Sequence, residues 1–125
     1  MCTSRFNPSI VDTWVKIWNT YDLSMVEKLF VDDDRVTYFS SEKKGLIRGI
    51  DALVRHHREF GFVEGGKDQP NRLWLEDTQI ESYGETADWC FRRGGSEKIQ
   101  RGPVTMVYVP VDGKYRIAHA HFSNY

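Results

Sequence analysis

The C-terminal stretch Arg101–Tyr125 constrains the fold of this chain most strongly. It contains two alternating runs joined at Asp112-Gly113, a dipeptide that favours a two-residue hairpin turn. The second run divides into an apolar and a polar face: Ala118, Ala120 and Phe122, then His119, His121 and Ser123. Because successive side chains of a strand point to opposite faces, this run predicts a long strand, which we expect near the centre of a curved sheet.

Alternation earlier in the chain predicts further strands. We expect strands over residues 35–40, 71–82 and 85–93, with a brief strand at Leu46-Ile47 and a turn at Tyr83-Gly84. The inward face of residues 85–93 is the most informative, and its members are Ala87, Trp89, Phe91 and Arg93. Arg93 ends this face near the rim of the sheet, where it is either a solvated strand end or a cation that meets a ligand oxygen.

Helical periodicity dominates the first half of the chain. Asn7 is expected to cap the first helix, with Pro8 at its first position, and its apolar stripe is Ile10, Trp14, Ile17, Trp18 and Tyr21. A short helix over Met25 to Phe30 and a third helix from Ile50 to about Phe60 follow. Helices followed by a run of antiparallel strands predict a single α+β domain over residues 1–125, with the helices on one face of the sheet.

Charge and cysteine content narrow the classes of partner. The formal net charge is -1, which gives no electrostatic reason to expect nucleic acid or an acidic membrane. No run approaches the length of a membrane span, and the first residues lack the pattern of a signal peptide. Cys2 and Cys90 are too far apart in the expected fold for a structural disulfide, so a cytoplasmic location is predicted.

The aromatic content is high for a chain of this size. Aromatic residues make up 14% of the sequence and four of them are tryptophans. This exceeds what a small core needs, and it predicts either an aromatic-lined cavity or an apolar dimer face.

His57 is the most notable ionisable residue. It falls on the apolar stripe of the third helix with Ile50, Leu53, Val54 and Phe60, whereas His56 lies about 100° around the helix. Two interpretations are open: a neutral core histidine bonded to a backbone carbonyl, or an acid–base group in a pocket.

Two patterns suggest metal binding, and neither is sufficient. The acidic run at residues 32–34 lacks further ligands at calcium-loop spacing, so a solvated turn is expected. His119 and His121 lie on one strand without a visible third ligand. We therefore predict no metal and no cofactor.

The ordered set of motifs resembles the NTF2-like superfamily, and within it the SnoaL-like branch that includes the association domain of calcium/calmodulin-dependent kinase. The matching pieces are Trp14 with Trp18, Tyr21-Asp22, Leu29-Phe30, the run 35–39, Gly49-Ile50-Asp51, the run 83–87 and the run 112–123. The resemblance implies a cone-shaped fold with a curved, mostly antiparallel sheet, three helices on its concave face, a deep pocket between them, and a homodimer formed through the sheet.

Carried over by position, the resemblance places nine residues on the pocket side: Ala87, Trp89, Phe91, Arg93, Met106, Tyr108, Ala118, Ala120 and Phe122. It places His119 and His121 on the opposite side, which faces a partner. The chain departs from the ketosteroid isomerases of this fold, since Tyr38, Phe39 and Ser40 occupy the region of their catalytic aspartate.

Two hypotheses of function follow. In the first, a hydrophobic carbonyl compound binds in the pocket of a cofactor-independent lyase, isomerase or cyclase. His57 would move the proton, Tyr38 or Tyr108 would donate to the developing oxyanion, and Arg93 would orient the substrate. Its apolar body would contact Trp14, Trp18, Trp89 and Phe91. In the second, the chain is a non-catalytic association module that forms oligomers through the outer sheet face.

Overall fold

The structure is a computed structural model that describes residues 6–125. Its helices are Ser9–Thr20 (α1), Val26–Leu29 (α2) and Ile50–Glu59 (α3), and a 3-10 turn at Leu23–Met25 precedes α2. Its strands are Thr37–Phe39 (β1), Ile47–Arg48 (β2), Arg72–Glu81 (β3), Gly84–Arg92 (β4), Gln100–Val111 (β5) and Lys114–Phe122 (β6). The predicted elements are all present, with ends that shift by up to three residues.

The six strands form one sheet in the order β2-β1-β6-β5-β4-β3. Neighbouring strands are antiparallel except for β1 and β6, which run parallel with Tyr38 opposite Ala120. The last strand therefore lies inside the sheet, between β1 and β5, as predicted. The α+β class and the curved, mostly antiparallel sheet are confirmed.

The hairpin between β5 and β6 has the predicted turn and an irregularity that was not predicted. Asp112 and Gly113 both have positive φ, 50° and 82°, as the favoured two-residue turn requires. Further along, Val107 pairs with His119 but Tyr108 pairs with Ile117, so β6 carries one extra residue there. This bulge interrupts the expected alternation, and Ile117 instead of Ala118 takes the fully buried position.

The helices pack on one face of the sheet, and α1 is fixed to the edge strand β3 by a side chain. Asn19 accepts a hydrogen bond from the Leu73 amide (2.8 Å) and donates one to the Leu73 carbonyl (2.9 Å). These two bonds satisfy backbone groups on the outer edge of β3. α1 begins at Ser9, one residue later than predicted, and the Asn7 side chain accepts from the Ser9 amide (3.0 Å).

Two loops of the chain are held by local hydrogen bonds. Asp33 accepts hydrogen bonds from the Arg35 side chain, and residues 6–125 contain no cluster of potential metal ligands. The connection after α3 is held by backbone bonds from the Leu23 amide to the Val63 carbonyl (2.8 Å) and from the Val63 amide to the Tyr21 carbonyl (3.0 Å). This loop is therefore a connection fixed in place by backbone hydrogen bonds.

Cys90 has a buried thiol on the outer face of β4, whereas Cys2 lies outside the described residues. The cytoplasmic location inferred from these two cysteines stays a prediction. Within residues 6–125, no helix has both the length and the apolar character needed to cross a bilayer.

Candidate functional site

A cavity of about 90 Å³ opens at one end of the sheet, beneath α1 and α3. The topology explains its position, because β1, β4 and β6 end at this edge and β3 and β5 begin there. Its wall consists of Trp18, Tyr21, Tyr38, Ser40, Ser41, Glu42, His56, Phe60, Asn71, Leu73, Trp89, Phe91, Arg93, Gln100 and Phe122. One water needs roughly 10–15 Å³ of such space, so the cavity has room for a small organic group.

The aromatic part of the wall contains most of the predicted binding residues. Trp18, Trp89, Phe91 and Phe122 all contribute to it. The Trp89 indole is held by a hydrogen bond from Nε1 to the Ser123 carbonyl (2.9 Å). Phe122 stacks on Tyr38, with ring centroids 5.3 Å apart. The rings of β4 therefore lie on the side of the sheet that the helices cover, the inward face expected from the alternation of residues 85–93, and they border the cavity.

Two other predicted binding residues lie behind this wall. Trp14 is fully buried against Phe122, with ring centroids 5.3 Å apart. Met106 is buried deeper along the sheet. Trp14 supports the wall residue Phe122 from behind, and neither Trp14 nor Met106 borders the cavity.

His57 lies in the core, next to the cavity wall. Its ring packs among Trp18, Tyr38 and Phe62, with centroids 5.1 to 5.7 Å away. Its Nδ1 is 2.9 Å from the Leu53 carbonyl oxygen; a carbonyl only accepts, so Nδ1 carries the proton. Burial lowers the pKa of His57 to about 4, which keeps the ring neutral. These contacts match the first of the two interpretations, a neutral core histidine.

His56, its neighbour, borders the cavity. The ring lies between Tyr38 and Phe60, with centroids 5.5 and 5.0 Å away. It is buried, and neither of its nitrogens has a hydrogen-bond partner among the described residues. Burial lowers the pKa of His56, and the charge of Lys43 lowers it further. A neutral imidazole has one unprotonated nitrogen, and at a cavity this nitrogen can accept a hydrogen bond or a proton from a ligand.

The sequence contains a signal that identifies His56. Leu53 and Phe60 lie three residues before and four residues after it, and both spacings place residues on one helix face. The buried face of α3 is therefore wide enough to hold both histidines. Only His57 was assigned to the apolar stripe from the sequence, and the stripe should also have included His56.

The side chains of two tyrosines, Tyr38 and Tyr21, contribute to the same wall. Burial raises the pKa of Tyr38, so its hydroxyl stays protonated and can donate. The Tyr21 oxygen accepts a hydrogen bond from Asn71 Nδ2 (2.8 Å), which leaves the Tyr21 proton free to donate elsewhere. Tyr21 follows α1 in the left-handed conformation (φ 56°), an uncommon one for a residue with a side chain. Tyr21 was predicted only as part of the apolar stripe of α1.

Tyr108, the other predicted donor, lies at the far end of the domain. Its ring stacks on Phe6, with centroids 5.3 Å apart, and its buried hydroxyl is beside the Glu85 carboxylate. Neither group meets hydrogen-bond geometry with any described residue. Burial raises the pKa of Glu85 to about 7. Extending the alternation of β4 backwards from Ala87 would have placed Glu85 on the inward face.

Charged residues stand on opposite sides of the cavity mouth. Arg93 follows the end of β4, and its guanidinium carbon lies 5.9 Å from the centre of the Phe91 ring. Glu42 belongs to the loop after β1. The cavity thus combines an apolar interior, one buried imidazole, tyrosine and serine hydroxyl groups and a charged mouth.

Comparison with solved structures identifies the fold. A protein from Thiobacillus denitrificans with the provisional name calcium/calmodulin-dependent protein kinase type II association domain has 13% identity and a TM-score of 0.75, covering 100% of this chain and 99% of that chain. An NTF2-like protein of unknown function from Pseudomonas putida has 18% identity and a TM-score of 0.74, covering 92% and 81%.

A protein from Kribbella flavida with the provisional name ketosteroid isomerase has 13% identity and a TM-score of 0.63, covering 94% and 76%. No protein-family model and no curated protein matches the sequence. The likeness therefore concerns structure alone. The similar structures include one named as an association domain and one named as a ketosteroid isomerase. This chain has the NTF2-like fold.

Proposed function

We propose that this protein binds a small, ring-containing carbonyl compound in the cavity and acts on it by acid–base chemistry without a cofactor. The observation that carries the proposal is His56, a buried imidazole that borders an aromatic-walled cavity and whose two nitrogens have no partner within residues 6–125. An unsatisfied buried polar group is costly, and a ligand that supplies a hydrogen-bond partner offsets that cost. The role first assigned to His57 passes to His56.

The size of the cavity limits the ligand. About 90 Å³ is small beside the roughly 300–1,000 Å³ typical of drug-sized ligands. A single ring can enter the cavity beside Trp89 and Phe122, and the rest of the ligand extends through the mouth. A steroid-sized substrate does not suit this site.

The proposed reaction is a proton transfer next to the carbonyl group. A nitrogen of neutral His56 takes a proton from the adjacent carbon, and the electrons of that C–H bond form the enolate. Tyr38 and Tyr21 donate hydrogen bonds to the enolate oxygen. His56 then returns the proton to the same carbon or to a conjugated one. Isomerisation, dehydration and cyclisation can each begin with this step.

The ketone 1-indanone provides a direct test. We expect it to quench the fluorescence of Trp18 and Trp89 as it binds, and we expect the protein to speed exchange of its α-protons for deuterium in D₂O, followed by NMR. The His56→Gln variant should slow this catalysed exchange by about 100-fold without losing the quenching, because the aromatic wall is unchanged.

The adjacent His57→Gln variant is the matched control. It should exchange at a rate close to that of the unaltered protein once circular dichroism shows that it is folded. Equal exchange in the His56→Gln variant would remove His56 from the chemistry. An absence of quenching would contradict binding in the cavity.

Homodimerisation through the outer face of the sheet is the second part of the proposal. At the centre of this face Val107 is 41% exposed, beside His119 on β6. His119 is in turn 2.8 Å from the Thr37 hydroxyl, measured from its Nδ1. A second copy packed on this face would remove the Val107 side chain from water.

Sedimentation equilibrium tests the dimer. We expect the unaltered protein to sediment as a dimer and the Val107→Glu variant as a monomer, since two carboxylates would be buried without partners. The Leu46→Glu variant changes a comparably exposed side chain in the loop before β2 and should leave the dimer intact. A monomeric unaltered protein would contradict this part of the proposal and the association-module hypothesis with it.

A further inference from the structure

Arg93 is a cation at the mouth of an apolar cavity, and no carboxylate among residues 6–125 pairs with it. The ion pairs in this part of the chain join Arg35 to Asp33 and Arg101 to Glu76. Glu42, the acidic residue in the cavity wall, belongs to the loop after β1, and β6 and β5 lie between β1 and β4. Three strand spacings separate the two sides by roughly 14 Å.

The guanidinium group of Arg93 contacts an aromatic ring on one side, and the Arg93 side chain is otherwise exposed. One face is turned to the Phe91 ring at 5.9 Å, a contact that favours the cation and limits its rotation. The backbone beside it is fixed, because the Gly94 amide donates to Asn71 Oδ1 (2.9 Å) and Asn71 Nδ2 is bound to Tyr21. The planar edge of a guanidinium presents parallel N–H groups that fit the two oxygens of a carboxylate.

We infer that the ligand is a small ring-bearing carbonyl compound that also has a carboxylate, whose ring enters the cavity and whose carboxylate binds Arg93. This inference rests on the proposed function, since it names the class of compound that the same cavity takes. Gln100, which pairs with Phe91 across β4 and β5 and also lines the cavity, adds an amide donor on the same side of the mouth. A neutral ring compound would leave the guanidinium without an anion at the edge of an apolar site.

Benzoate and benzamide form a suitable pair of probes, because they have the same shape and differ in charge. Binding is measured by the quenching of Trp18 and Trp89 fluorescence. We expect the unaltered protein to bind benzoate about tenfold more tightly than benzamide. This preference should weaken as salt is added.

Arg93→Gln is the informative variant, and Arg92→Gln is its matched control one position earlier. Arg92 is exposed on the opposite face of β4. The first variant should bind benzoate and benzamide equally, and the second should keep the preference of the unaltered protein.

Two failures are distinguishable. If benzamide binds as tightly as benzoate, or if the Arg93→Gln variant keeps the preference for benzoate, the assignment of an anionic ligand is overturned while the cavity remains a binding site. If neither probe quenches the tryptophans of the unaltered protein, both this inference and the proposed function fail.

Discussion

Replacing Gly102 with alanine is expected to lower the free energy of unfolding by about 3 kcal/mol. Gly102 lies on β5 opposite Trp89. A Cβ atom there would fall well inside contact distance of the Ser123 carbonyl oxygen and 2.8 Å from Trp89 Nε1. A backbone carbonyl of a neighbouring strand cannot rotate away, so β5 and β6 would have to separate.

The same substitution should also damage the binding site. The bond from Trp89 Nε1 to the Ser123 carbonyl passes over Gly102, and it fixes the indole in the cavity wall. An added methyl group would push this indole towards the cavity. We therefore expect the Gly102→Ala variant to lose the quenching by 1-indanone as well as stability.

Urea unfolding followed by circular dichroism measures the first effect, and Gly45→Ala is its control. Gly45 has a positive φ of 96°, but within residues 6–125 no atom beyond its immediate chain neighbours lies within 4 Å of the position that a Cβ would take. Its substitution should therefore cost only about 1 kcal/mol in conformational strain. If the two variants unfold at the same urea concentration, the close approach at Gly102 does not limit stability.

The sequence predicts the apolar faces of the helices and strands well because the spacing of apolar residues repeats along each element. The stripe of α1 and the alternation of β4 each extend over several residues, so single ambiguities do not change the assignment. These two patterns place Trp89 and Phe91 on the inward face of the sheet and Trp18 on the buried face of α1, whereas the expectation of a pocket between them came from the family resemblance.

The polar residues of the site depend on details that periodicity does not resolve. His56 and His57 are adjacent on a helix whose buried face holds both. Periodicity therefore does not show which of the two rings borders the cavity. The parallel pairing of β1 with β6, a contact between distant parts of the sequence, brings Tyr38 to the mouth. Glu85 was overlooked because a carboxylate is not expected on a buried face.

Glu85 and His57 should give the stability of this protein opposite dependences on pH. The pKa of Glu85 is raised by burial from 4.5 to about 7, so between these values the folded state holds a proton that the unfolded state has lost. Stability from this group is complete below pH 4.5 and declines as the pH rises to 7. A shift of this size corresponds to about 3 kcal/mol.

His57 acts in the reverse direction. Its pKa is lowered by burial from 6.5 to about 4, so between these values the unfolded state binds a proton that the folded state excludes. Its contribution is complete above pH 6.5 and is lost as the pH falls to 4, again by about 3 kcal/mol. From pH 4.5 to 6.5 the two slopes cancel in the unaltered protein.

Single substitutions should therefore reveal a dependence on pH that the unaltered protein conceals. Relative to the unaltered protein, the Glu85→Gln variant should gain about 3 kcal/mol as the pH rises from 4.5 to 7, and the His57→Gln variant should lose about 3 kcal/mol as it rises from 4 to 6.5. Urea unfolding at several pH values across this range measures both differences in the free energy of unfolding. Groups that titrate in all three proteins contribute equally, so their effects cancel in these differences. Parallel curves for the three proteins would mean that neither group is held in its neutral form by the fold.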